Sequence, residues 1–149
     1  MKYLIDTNIV VVYLRDDKTK HHIEANYAPF HPANIPIVSV VTLGEIESLG
    51  LRNKWGVKRF HAVSQFFQKC VITDINSRDV IKLYGEIDAY SQGKLPNCPA
   101  GMSSKNMGKN DLWIAATASA TGAKLLTMDK DFGHLNGVYL EVVGVELVR

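Results

Sequence analysis

A chain of 149 residues has room for one hydrophobic core and not for two. An apolar share of 46% and a charged share of 21% exclude a disordered chain, and two cysteines, Cys70 and Cys98, at no metal-ligand spacing exclude a disulfide scaffold. The net charge of +2 is neutral on nucleic acid, so any basic surface has to be local.

Lys2 to Ile5 is a short β-prone run that stops at Asp6-Thr7-Asn8, and the apolar stretch Ile9 to Leu14 after it predicts a buried helix. Asp6 arrives before any signal-type apolar region could form, and no run reaches membrane-spanning length, so the expected location is cytoplasmic. Polar Lys18 to Asn34 reads as a helix of modest length and then a loop, with His21 and His22 as exposed loop residues. Ile35 to Val40 is a second β-prone stretch. Thr42-Leu43-Gly44-Glu45 has the spacing of a capping box, which predicts a helix from Thr42 to about Leu51, with Trp55 near a helix end. Phe60, Val63, Phe66 and Phe67 recur at helical spacing, Cys70 to Ile75 is β-prone, and a segment opened by Ser77 carries Val80, Ile81, Leu83, Tyr84 and Ile87 as a further helix.

From Ser91 to Lys109 the pattern stops, and Gly93, Pro96, Pro99, Gly101 and Gly108 mark residues 91–109 as a loop insertion within a single domain over 1–149. Asn110 is placed to cap a helix over Leu112 to Thr121, in which Trp113 faces the core and Gly122 is the stop signal. Lys124 to Thr127 and Val138 to Val143 are the last two strands. Strands separated by helices predict an α/β fold with a parallel sheet covered on both faces, because parallel neighbours require crossover connections. Ligand sites in such sheets lie beyond the carboxyl ends of the strands.

Four acids fall at that edge. Asp6 directly follows the first strand and Asp129 nearly follows the Lys124 to Thr127 strand, while Glu45 and Asp111 stand in the first turns of predicted helices. Each has an ordinary explanation when taken singly: capping and the helix dipole favour acids there, and Glu45 completes the Thr42 capping box. Their coincidence at one edge does not, since gathered carboxylates repel unless protons or cations neutralise them. Oxygen ligands without nearby His or Cys suit Mg²⁺ or Mn²⁺ and argue against zinc. The matching chemistry is phosphoryl transfer, with Asp6, Asp111 and Asp129 as metal ligands and Glu45 as a ligand through water or the orienter of the attacking water; one-ion and two-ion schemes both fit. Thr7, Asn8 and Thr127 adjoin these acids and can hydrogen-bond the carboxylates or the scissile phosphate.

These residues resemble the PIN-domain ribonucleases and, within them, the VapC-type toxins of toxin–antitoxin modules. Leu4-Ile5-Asp6-Thr7-Asn8 is similar to the opening motif, Ser39-Val40-Val41-Thr42-Leu43-Gly44-Glu45-Ile46 to the segment with the second acid, Asn110 to Ala118 to the third motif, and Leu126 to Phe132 to the fourth. The resemblance implies a five-stranded parallel sheet, Mg²⁺- or Mn²⁺-dependent cleavage of RNA, dimerisation, and inhibition by a cognate antitoxin. It carries the metal-site role onto Asp6, Glu45, Asp111 and Asp129, with Asp131 as a further acid. The 91–109 stretch departs from a compact member, and its Lys94, Lys105 and Lys109 are candidate RNA contacts. Two other classes compete: an aspartyl-nucleophile phosphatase built on Asp6, and a PIN-like module that grips RNA or protein without cutting. The first leaves Glu45 and Asp111 without a shared role.

Overall fold

The computed structural model describes residues 1–15 and 17–149. Elements follow in the order β1 (Lys2–Ile5), α1 (Thr7–Arg15), α2 (Lys18–Asn26), β2 (Ile35–Ser39), α3 (Val40–Arg52), α4 (Val57–Gln68), β3 (Val71–Thr73), α5 (Arg78–Ser91), α6 (Lys109–Thr121), β4 (Lys124–Thr127), a 3₁₀ segment (Lys130–Leu135) and β5 (Val142–Gly144). All five strands are parallel, in the order β3-β2-β1-β4-β5. The α/β architecture with helices on both faces is therefore the expected one. Among the described residues no helix is long and apolar enough to cross a membrane.

Alternation along the strands supplies both cores. Leu4, Ile37 and Leu125 turn to the face covered by α5 and α6, where Val80, Ile87, Tyr90, Leu112 and Ala115 meet them. Ile5, Val38 and Leu126 turn to the other face, against Ile9, Val10 and Tyr13 of α1, Ile46 of α3 and Phe66 of α4. Leu4, Ile5, Leu125 and Leu126 are at most 1% exposed, so each contributes about 1.5–3 kcal/mol and the two central strands are the rigid part of the molecule.

Several boundaries differ from those expected. Ser39, and not Thr42, caps α3: its hydroxyl accepts from the Val41 N–H at 3.1 Å, and the helix starts at Val40. Glu45 thus lies beyond the first turn, which removes the capping-box account of it. Gly108 occupies the cap of α6, so Asn110 and Lys109 lie inside the helix, while Gly122 ends it in the left-handed region at φ 68° as its position predicts. The apolar stretch 138–143 is mostly not strand. Gly137 turns at φ 76°, Asn136 Oδ1 accepts from the Val142 N–H, and only Val142–Gly144 pairs with β4, because the turn spends the preceding apolar residues on the core, Leu140 among them. The third strand is also short, since the Asp74 carboxylate accepts from the N–H groups of Ile75 and Asn76 and turns the chain. His21 and His22 lie on α2, not in a loop. Residues 92–108 form neither helix nor strand, yet Leu95, Cys98, Met102 and Met107 pack onto the α5/α6 core.

Candidate active site at the carboxyl edge

Crossovers leave β1 toward β2 on one side, while β4 returns to its other side, so the β1/β4 junction is where the strand order reverses. Asp6 stands at this junction, its N–H bonded to the Leu126 carbonyl at 3.0 Å so that the ladder runs one residue past β1. It is 4% exposed. Oδ1 accepts from the Thr7 N–H at 2.8 Å and Oδ2 accepts from the Thr127 hydroxyl at 2.6 Å. Thr127, itself fully buried, takes the Asp129 N–H at 3.0 Å on the same oxygen. One hydroxyl thereby fixes a carboxylate of the first motif and the backbone of the fourth.

A second chain of bonds brings in Glu45. The Thr7 hydroxyl donates to Glu45 Oε1 at 2.7 Å and lies 3.1 Å from the hydroxyl of Thr42, a fully buried residue. Thr42 and Glu45 share one face of α3 at i, i+3 spacing. Thr42 therefore belongs to this site, and that spacing beside Thr7 was the only sequence signal for it. Asn8 Oδ1 accepts from the Met128 N–H at 3.2 Å, tying the start of α1 to the turn after β4, and Asp129 Oδ1 accepts from the Asp131 N–H at 2.9 Å.

Asp111 stands in the first turn of α6, with Oδ2 3.7 Å from where a side chain on Gly108 would begin. Burial pushes Asp111 up to about 6, with the charges of Asp6, Asp129, Glu45 and Asp131 adding to the shift. Asp6 is likewise pushed up to about 6: burial raises it most, the bonds from Thr127 and Thr7 pull it down, and the charges of Glu45 and Asp129 raise it again. The four expected acids and Asp131 are thus within electrostatic reach of one another. Among the described residues no three His, Cys, Asp or Glu side chains stand close enough together to hold a metal ion by themselves. An all-oxygen set gathered round an open crevice fits a hard divalent cation that keeps several of its waters and takes only some ligands from protein. Of the three lysines, Lys109 opens α6 two residues before Asp111, Lys105 lies near enough to His134 for its charge to help burial lower that imidazole's pKa, and Lys94 lies in the turn after α5. Trp113 is half-buried, its ring 4.2 Å from that of Tyr84, and lines an open pocket with Glu45 and Asn110.

The PIN domain family model matches residues 3–138, and the chain belongs to that family. Solved structures share its fold over nearly their whole lengths. A chain of VapBC2 from Rickettsia felis, crystallised bound to a DNA fragment from their promoter, is 22% identical with a TM-score of 0.78, over 98% of this chain and 100% of that one. A chain of VapBC-1 from nontypeable Haemophilus influenzae is 20% identical with a TM-score of 0.70, over 97% and 98%. A chain of VapBC-5 from Mycobacterium tuberculosis, of the VapBC family of toxin–antitoxin systems, is 19% identical with a TM-score of 0.62, over 97% and 98%. At these identities the likeness is one of fold. Comparison with curated protein sequences gave no match.

Proposed function

We propose that this chain is a metal-dependent endoribonuclease, the toxin of a toxin–antitoxin module, which hydrolyses RNA phosphodiester bonds in the cytoplasm. The observation that carries this reading is the chain of hydrogen bonds that ties Asp6, Glu45 and the Asp129 backbone together through Thr7 and Thr127 at the strand-order reversal, with Asp111 near enough for their charges to raise it. Repulsion at that point destabilises the fold unless a cation offsets it, and Mg²⁺, or Mn²⁺ in its place, matches the donors. When bound, such an ion would acidify a water and neutralise charge on the scissile phosphate.

Asp6, Asp111 and Asp129 would hold the ion. Asp6 is kept in one rotamer by Thr7 and Thr127, so its oxygens are presented without an ordering cost at the moment of binding. Glu45, with Oε1 held by the Thr7 hydroxyl, keeps Oε2 to orient the attacking water and accept its proton. Lys105 and Lys109 would steer the RNA strand toward the crevice. A phosphatase with Asp6 as nucleophile is disfavoured, because it gives Glu45, which Thr7 ties to Asp6, and Asp111 no shared role. The VapBC assemblies of similar fold support a cognate antitoxin as partner; the homodimer rests on the motif resemblance alone.

The test is cleavage of mixed total RNA by purified protein with and without Mg²⁺ or Mn²⁺, beside Asp6→Asn and Asp111→Asn. Discrete metal-dependent fragments that vanish in both variants are the expected result. Folded wild-type protein, free of any inhibitor, that cuts nothing with either metal would leave the non-cutting binding module as the better reading.

A further inference from the structure

The seam between α1 and α3 that begins at the acids ends in a site of opposite charge. Thr7 meets Glu45 at the acidic end; one turn on, Val11 and Leu49 line a cleft of about 230 Å³, and another turn on, Arg15 and Asn53 line it too, with Trp55 and Arg59 from the α3–α4 turn. Eight residues at helical rise put the two ends ~12 Å apart. Residues 48–73 carry Arg52, Lys54, Lys58, Arg59 and Lys69 without a single Asp or Glu. On the α1 side two acids follow Arg15 in sequence: Asp16 lies outside the described residues, and the Asp17 carboxylate accepts from the N–H groups of Thr19 and Lys20 as the cap of α2.

The basic end is built and not merely charged. The Arg59 guanidinium lies over the Trp55 ring, 5.3 Å from its centroid, a stacking that presets its fork. Trp55 and Phe60 in turn pack on Gly50, where an added Cβ would come within 2.6 Å of the Phe60 ring and 2.9 Å of Trp55. The turn closes as a Schellman motif, with Trp55 N–H bonded to Gly50 O at 2.9 Å and Lys54 N–H to Leu51 O at 3.3 Å. Its left-handed position, which favours glycine, holds Lys54 at φ 54°. An exposed cation is thus kept where glycine would be easier.

We propose that this cleft is a phosphate subsite, in which Arg15 and Arg59 clamp a phosphodiester of the RNA strand away from the scissile bond. The proposal rests on the nuclease reading. A polyanion is repelled by the crevice acids, and a guanidinium pair farther along the same seam holds the strand while its scissile phosphate reaches them. That continuity favours RNA over an acidic protein segment.

The test measures binding of a single-stranded oligoribonucleotide in an Asp111→Asn background, with and without Arg15→Gln/Arg59→Gln, across a salt series. Affinity should fall about tenfold or more, and the slope of log K against log salt should flatten by about 1.4, the value for two lost contacts to a single strand. Arg59→Lys should keep the slope and lose part of the affinity, since an ammonium neither forks nor stacks, which also separates the clamp from a folding defect. Unchanged affinity and slope in the double Gln variant, with wild type still cutting RNA, would overturn the subsite and leave the nuclease standing. Wild type that neither binds nor cuts RNA overturns the nuclease reading and the subsite with it. A double variant that releases a polyglutamate peptide yet keeps RNA would assign the cleft to a protein partner instead.

Discussion

Asp6 and Arg59 mark opposite ends of one helix seam, and their surroundings differ in every respect that sets the energetics of a charge. At the acidic end the carboxylates arrive from four segments far apart in sequence, Asp6 is buried, and burial, with like charges adding to it, lifts Asp6 and Asp111 to about 6. At the basic end the cations come mostly from one short stretch, stay exposed and keep solvent around them. Gathering like charges in a buried crevice stores unfavourable energy that a ligand can release, whereas a solvated basic patch stores little and acts by attraction over distance. The first arrangement is suited to chemistry and the second to holding a strand.

The largest expected effect breaks the acidic end. Asp6→Asn or Asp111→Asn should lower metal-dependent RNA cleavage on the order of 10²–10³-fold, because several kcal/mol of transition-state stabilisation leave with a ligand. Single-turnover rates check this, and rates within a few-fold of wild type would remove both residues from the chemistry.

The same residue gives a stability prediction of unusual sign. Asp6 titrates near 6 when folded and near the ordinary 3.9 when unfolded, so between those values the folded state binds more protons. Stability of chelator-treated protein should therefore be highest below about pH 4 on account of this group and decline as pH rises through 6, by roughly 3 kcal/mol. Asp111 acts in the same direction but is half exposed, so solvent screening reduces its share. Urea unfolding of wild type and Asp6→Asn at pH 4.5 and 7.5 reads the difference directly. A gap between the two proteins that does not change with pH would contradict the buried, charge-crowded environment.

Thr127→Val keeps the shape but removes the donor to Asp6 and the acceptor for the Asp129 amide; a loss of about 2 kcal/mol is expected. The bond it deletes holds Asp6 down, so the acid limb of the kcat profile should also move to higher pH. A destabilised variant with an unmoved limb would make Thr127 a structural residue only.

At the basic end, Gly50→Ala should cost about 1–3 kcal/mol, because Trp55 and Phe60 must lift off α3. Trp fluorescence together with Tm reports whether the ring moved, and an unchanged spectrum at unchanged Tm would mean the turn tolerates the methyl. The smallest effect is a gain. Lys54→Gly relieves the left-handed position and should stabilise the protein by up to about 1 kcal/mol, while weakening RNA binding at low salt. Stabilisation with full RNA affinity would show that Lys54 plays no part in holding the strand.

Short-range signals fixed most elements. The alternation in Lys2–Ile5 and Lys124–Thr127, the helical spacing of Phe60 to Phe67 and the stop at Gly122 are properties of a few neighbouring residues, and all lie where expected. Boundaries failed where a hydrogen-bonding partner or a turn outweighed the apolar pattern. Ser39 takes the cap expected at Thr42, whose hydroxyl instead meets that of Thr7, and Val138 to Glu141 stay out of the sheet because Gly137 and Asn136 bend the chain before β4 can pair with it.

Asp6, Asp111 and Asp129 were visible in the linear order because each sits beside a strand end or helix start, whereas Glu45 was singled out by a capping-box spacing that α3 does not use. The coupling of the four was not visible, since it depends on β4 lying beside β1, on Thr127 reaching Asp6 across 121 residues, and on α6 turning Asp111 toward the same edge. The charge-free-of-acids run at 48–73 was likewise present in the letters, but only the parallel course of α1 and α3 set Arg15 beside Arg59. Sequence determines which side chains a short element presents; which elements become neighbours is decided by burying both faces of the sheet at once, and that balance exists only in the folded chain.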